Sequence, residues 1–302
     1  MGRDNFIYAR VYIDAFNRRS NANPPAPESL ARNLRRLQDG LQKRGKAFCF
    51  VIAPSKAEIY PEYIPPSFVA PSARCKAGYY QSLIAALHKE GVCTVDGHAL
   101  FIEQKQREPW LLFPPGGIHW LPYGAATVVE QMTRELERQT GHPMVHLRCD
   151  AVAAGAPPTS GAEVDMALLL NTWRFPKWDV QVPYPRYQPC AEDGTRRPHL
   201  LIVGDSFAFG LIDLMHRHNV CDGLDLYYYF STHYQYPGRS LTKLDKDNLD
   251  WERDIFSRDA VIIEANEVQL GSAAWGFIDR ALTHLEARPG ADAGKRSESH
   301  GP

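Results

Sequence analysis

The feature that most constrains this chain is an alternation. Short runs that are apolar at odd and even positions alike, such as Phe48 to Ile52, Leu200 to Val203 and Ala260 to Ile263, are separated by stretches whose apolar residues recur every three or four positions. A strand with no polar face must be covered on both sides, and helices between successive parallel strands are the usual cover. The expected class is therefore α/β, with three layers around a mostly parallel sheet.

The periodic stretches start and stop at helix signals. Leu30, Leu34, Leu37 and Leu41 follow Ser29 and precede Gly45, and Tyr80, Leu83, Ile84 and Leu87 precede Gly91 and a short strand at Val92 to Val95. Pro122 opens a helix holding Val128, Val129, Met132 and Leu136, which Gly141 is placed to end. Further on, the pattern predicts a short helix at Met166 to Leu170, strand His199 to Val203, helix Ala208 to His218 and strand Leu224 to Tyr229. Helix Asn248 to Phe256, strand Ala260 to Glu264 and helix Ala274 to Ala287 complete it. Residues 1 to 15 read as extended, 150 to 163 as a loop, and Trp173 to Pro189 as irregular, because that segment is proline-rich and has no period. The polar tail at 290–302 is expected to be disordered, leaving 1–289 as a single domain.

Bulk properties exclude some partners. With 34 Lys plus Arg against 35 Asp plus Glu the net charge is −1, which removes the electrostatic case for nucleic acid or an anionic membrane surface. No stretch approaches the roughly 18 apolar residues that span a bilayer. The opening MGRDNFIYARVY lacks the order of a secretory signal, so any export signal or anchor is expected to have been removed or never to have existed. Six cysteines stand singly, with no spacing that suits zinc, and neither metal nor other cofactor is expected. Cys49 reads as a buried strand thiol, whereas Cys75 and Cys190, in polar loops, are the better disulfide candidates.

Chemistry enters at LLIVGDSFAFG, residues 200–210: a buried strand, a turn and a helix face. Gly204 can adopt backbone angles closed to other residues, which would let the chain turn at the carboxyl end of the strand, where ligands collect in open α/β sheets. Ser206 then sits near a helix N-terminus whose N–H groups could stabilise an oxyanion. Read this way Ser206 is a nucleophile; read blandly, Asp205 or Ser206 caps the helix. A serine needs a base. Of 11 histidines, His119 stands out in GGIHWLPYGAATVVEQM, a glycine-proline loop leading into a helix, while His216 and His218 fall on or beyond the helix after Ser206. Trp120 could shield the imidazole, stack on a sugar, or plug the space between loop and core.

Four segments resemble, in order, the SGNH-hydrolase-like O-acetyltransferases of the alginate group, typified by AlgJ and AlgX. They are APSKAEIYPEYIP at 53–65, HWLPYGA at 119–125, VGDSFAFG at 203–210 and DAVIIEANE at 259–267. The resemblance implies a flavodoxin-like SGNH fold and a periplasmic enzyme of exopolysaccharide biosynthesis. It would acetylate a polysaccharide acceptor through an acetyl-serine, the acetyl group being delivered by a membrane protein partner. It also implies Ser206 as nucleophile and His119 as base. The family motif is D-x-H-W, and here the aspartate position is Gly117. Three explanations stand: a Ser-His dyad suffices, a carboxylate from elsewhere substitutes, with Asp96 as the candidate, or the protein binds polysaccharide without turnover. Hydrolysis of small esters or lipids is a further reading. Asn266, beyond the strand AVIIE, could donate to the oxyanion or be a turn residue; with Asp205 and Gly204 it completes the expected oxyanion region. Lys56 and Tyr60 match the family pattern and are accounted for by a lysine stem packed over an aromatic. Tyr234 and Tyr236 are candidate sugar contacts.

Overall fold

The computed structural model describes residues 1–19, 23–74, 78–171, 176–238 and 240–287. The tail expected to be disordered lies outside the described residues, as does Cys75. In chain order the elements are α1 (Arg10–Phe16), α2 (Pro27–Gln42), β1 (Ala47–Ala53), α3 (Lys56–Ile59), α4 (Tyr79–Glu90), β2 (Thr94–Asp96), α5 (Gly97–Arg107) and α6 (Pro122–Thr140). They continue with β3 (His146–Gly155), α7 (Asp165–Leu169), β4 (Val182–Cys190), β5 (His199–Gly204), α8 (Ala208–Arg217), β6 (Gly223–Tyr228), β7 (Thr232–Tyr236), β8 (Ser240–Lys243), β9 (Ala260–Asn266) and α9 (Phe277–Glu286).

The sheet runs β2-β1-β9-β5-β6-β7-β8, parallel through β6 and antiparallel for the last two strands. Its central strands are buried on both faces, as their unbroken apolar runs require. Alternate residues divide cleanly: Cys49, Val51, Ile202 and Ile262 face one core with α6 and α8, and Phe48, Phe50, Val203 and Ile263 face the other with α2, α4 and α9. Leu34, Leu37 and Leu41 of α2 are buried in that second core, and each such side chain contributes about 1.5–3 kcal/mol by leaving water. Gly91 and Gly141 follow α4 and α6 in the left-handed conformation, where a side chain would be strained.

Some expectations need correction. Residues 10–16 are helical rather than extended, with Tyr12 and Phe16 turned into the core. Residues 150–155 belong to β3, and the proline-rich stretch ends in β4; the two form an antiparallel hairpin apart from the main sheet, with a bulge between Cys149 and Ala151. Prolines are tolerated there because a two-stranded ribbon leaves outward N–H positions unpaired. The predicted helix at 248–256 shrinks to a π turn at Glu252–Phe256. A 3-10 segment replaces the start of the last helix, which begins at Phe277.

Candidate active site

Strands β1, β5 and β9 point the same way and end together, with Ala53 opposite Asn266 and Val203 opposite Ile263. Ser206 follows β5 by two residues, half-exposed between buried neighbours. The turn is built by Asp205, whose Oδ1 accepts the Phe207 N–H at 2.9 Å and whose Oδ2 accepts the Asn266 N–H at 2.8 Å, tying β5 to β9 beneath the serine. Gly204 is required for space rather than for unusual angles. It is not among the positive-φ glycines, and a Cβ there would stand 2.7 Å from Glu264 Oε2. At the mouth of α8 no acceptor among the described residues takes the Ser206 N–H.

His119 arrives on the segment before α6. That segment is fixed from behind by Lys56, fully buried, whose Nζ donates to the carbonyls of Ile7, Pro114, Pro115 and Gly117 at 2.6–3.0 Å. Burial pushes the Lys56 pKa well down. The four carbonyl acceptors nevertheless select the ammonium form, since only it brings three hydrogens. His119 Nε2 lies 2.8 Å from Ser206 Oγ, and its ring packs 5.0 Å from that of Phe207.

The carboxylate behind the ring is Asp165, at the first position of α7. Its Oδ2 is 2.8 Å from His119 Nδ1, and its Oδ1 accepts the Ile118 N–H at 3.0 Å. The Nδ1–H direction misses Oδ2, so the contact acts through charge rather than as an aligned hydrogen bond. A carboxylate can only accept, so it favours the tautomer with the proton on Nδ1 and the Nε2 lone pair toward the serine. Asp96, the sequence candidate for this position, is engaged elsewhere: it caps α5 through Ala99 N–H and accepts the Tyr80 hydroxyl at 2.8 Å.

Other expected site residues are also reassigned. Both hydrogens of the Asn266 amide go to the carbonyls of Ala53 and Pro54, at 3.2 and 3.1 Å, and its Oδ1 accepts Val268 N–H, so this side chain has nothing left for an oxyanion. Trp120 is 4 % exposed and packs on Phe101 and edge-on to Phe207: it is the plug between loop and core, not a sugar platform. Tyr234 packs on Phe209 in the middle of β7. Tyr236 pairs with Leu224 at the start of β6, whereas Gly204 pairs with Tyr228 at its end. Tyr236 is therefore about 13 Å along the strand from the serine rim, by the rise per residue. Tyr12, which sequence reasoning passed over, enters the neighbourhood from α1. Burial raises its pKa, and Asp205, Tyr229, Asp165 and Glu264 are close enough to add to that. No cluster that could hold a metal ion is found among the described residues, and no helix among them is long and apolar enough to cross a membrane.

Comparisons with known proteins bear on the family and the fold. Residues 1–210 match the family described as SGNH hydrolase-like domain, acetyltransferase AlgX. Over 132 residues the chain is 28% identical to a Pseudomonas syringae pv. tomato protein named "Probable alginate O-acetylase AlgJ", covering 44% of this chain but 32% of that protein. The O-acetyltransferase domain of Pseudomonas putida AlgJ superposes with a TM-score of 0.55 at 17% identity, over 95% of this chain and 99% of that one. Pseudomonas aeruginosa AlgX gives 0.52 at 16%, over 92% and 66%. At such identities the superpositions speak to the fold, a three-layer α/β arrangement with a mostly parallel sheet. The family match over most of its length gives the conclusion that this chain belongs to the AlgX-type SGNH hydrolase-like acetyltransferase family.

Proposed function

We propose that this protein is a serine O-acetyltransferase acting on hydroxyls of an exported or cell-surface polysaccharide in the periplasm, with Ser206 as nucleophile, His119 as general base and acid, and Asp165 as the orienting carboxylate. The observation that carries the reading is the line from Ser206 Oγ through His119 to Asp165, with 2.8 Å on each side of the ring. On the serine side that is within the reach proton transfer needs.

Ser206 Oγ attacks the acetyl carbonyl of the donor as its proton passes to His119 Nε2. The tetrahedral oxyanion accepts from the Ser206 N–H, and the leaving oxygen of the donor takes the proton back from His119 as the C–O bond breaks. A sugar hydroxyl then attacks the acetyl-serine, its proton goes to His119, and collapse returns that proton to Ser206 Oγ. Asp165 stabilises the imidazolium in both halves. The acetyl donor would come from a membrane protein partner, and water in place of the sugar would make the same site an esterase.

Gly117 favoured a catalytically silent, polysaccharide-binding reading because it left the imidazole without a carboxylate; Asp165 supplies one from another segment, which removes that ground. Purified protein should release nitrophenol from p-nitrophenyl acetate, and Ser206→Ala should abolish the release. Equal rates for the two proteins would sink the proposal.

A further inference from the structure

Two carboxyl groups lie under the nucleophile turn, and the proposed triad uses neither. Asp205 and Glu264 are 2 % and 0 % exposed. Glu264 Oε2 accepts the Asp205 N–H at 3.0 Å, while both Asp205 oxygens already accept backbone N–H groups. Glu264 Oε1 is buried and makes no hydrogen bond with a donor among the described residues. The groups that act on the pair are each carboxyl on the other, the N–H groups of Asp205, Phe207, Ala208 and Asn266, the His119 ring, and more distantly the hydroxyls of Tyr12 and Tyr229.

Two buried carboxyls in contact do not both ionise. The two backbone N–H bonds stabilise charge on Asp205, so the proton belongs on Glu264, and the oxygen without a donor is where it sits. We propose that Glu264 is a neutral acid at physiological pH, that its Oε1–H donates to the Asp205 carboxylate, and that this bond makes it the positioning residue of the Ser206 turn. Burial, reinforced by Asp205, pushes the Glu264 pKa well above the usual carboxylate range. Ionising Glu264 would set two negative charges against each other at the joined ends of β5 and β9 and shift Ser206 relative to His119. The kinetic part of this inference rests on the acyl-transfer reading; the bound proton does not.

The test therefore has an arm independent of turnover. The infrared carbonyl band of a protonated carboxylic acid, measured at neutral pH, should be present in the wild type and lost in Glu264→Gln. In ester hydrolysis, Glu264→Leu should lower kcat/KM by about ten- to a hundredfold, the scale of leaving buried hydrogen-bonding groups unmatched. Glu264→Gln, whose amide both donates to Asp205 and accepts its N–H, should recover most of that loss and shift the alkaline limb of the pH profile upward. An unchanged infrared difference, or a glutamine variant as impaired as the leucine variant, overturns the proposal. If Glu264→Leu does not fold, the glutamine variant and the band decide it. A wild type that shows the band but no ester turnover sinks the acyl-transfer reading and the positioning role with it, leaving the protonated Glu264 standing alone.

Discussion

A β-carbon on Gly117 would stand 2.7 Å from the carbonyl oxygen of Glu163 and 2.8 Å from that of Ala162. These residues lead directly into Asp165, and the Gly116 carbonyl accepts the Ala167 N–H at 2.9 Å. The segment that delivers the carboxylate is packed on the glycine where the family motif has its aspartate, so the two arrangements exclude each other.

Restoring the motif residue should therefore harm this protein. Gly117→Asp is expected to lower kcat/KM on a small acetyl ester rather than raise it. Asp165→Ala should cost on the order of 10²–10⁴-fold, as loss of an orienting carboxylate does elsewhere, and adding Gly117→Asp to it should not rescue it. Steady-state kinetics of the four proteins checks this, and a gain on Gly117→Asp would refute it.

Lys56 holds four buried carbonyls around the His119 loop. Lys56→Met keeps the stem but strands those acceptors, and should destabilise the fold by about 2–4 kcal/mol, the scale of losing charge-assisted bonds in the interior. Urea unfolding followed by fluorescence measures it; a loss within error of zero would mean that the loop is fixed by other contacts.

His146 binds the foot of the β3–β4 hairpin to α6, with Nδ1 3.0 Å from Glu130 and Nε2 3.1 Å from Glu137. Desolvation opposes its charge, but the two carboxylates outweigh it and the pKa is raised. The sign follows from linkage: its contribution is full below the unfolded value of about 6.5 and is lost as pH rises through the folded value. The melting temperature of the wild type should fall over that window more than that of His146→Gln, and parallel curves would count against the pairing.

Tyr236 stands at the amino end of the parallel strands, away from Ser206. Tyr236→Phe should leave kcat/KM within about twofold, as surface changes remote from a site usually do. A large loss would mean that substrate reaches across the sheet.

The strands, the helices that flank them and their stop signals were legible in the chain because each is dictated by local periodicity: β1, β5, β9, α6 and the glycines at 91 and 141 stand where the pattern put them. The hairpin of β3 and β4 was not, because its ribbon has neither a buried face to impose alternation nor a freedom from proline. Helix α1 was hidden by its shortness, with two core contacts and no cap to mark it.

At the site, Ser206 and His119 could be singled out from their strand-turn-helix and loop contexts, but not brought together, since they are 87 positions apart. Asp165 carries no local signal at all: one acidic residue opening a short helix resembles any cap. What the sequence alone determined is the layered α/β framework and the rim where the serine emerges, because burial on both faces of a strand is written in consecutive residues. The tertiary structure decided which carboxylate stands behind the imidazole, that Asn266 is used up on backbone carbonyls, and that Glu264 lies under the turn. Those outcomes depend on distances between segments remote in sequence, which only the packing of the layers fixes.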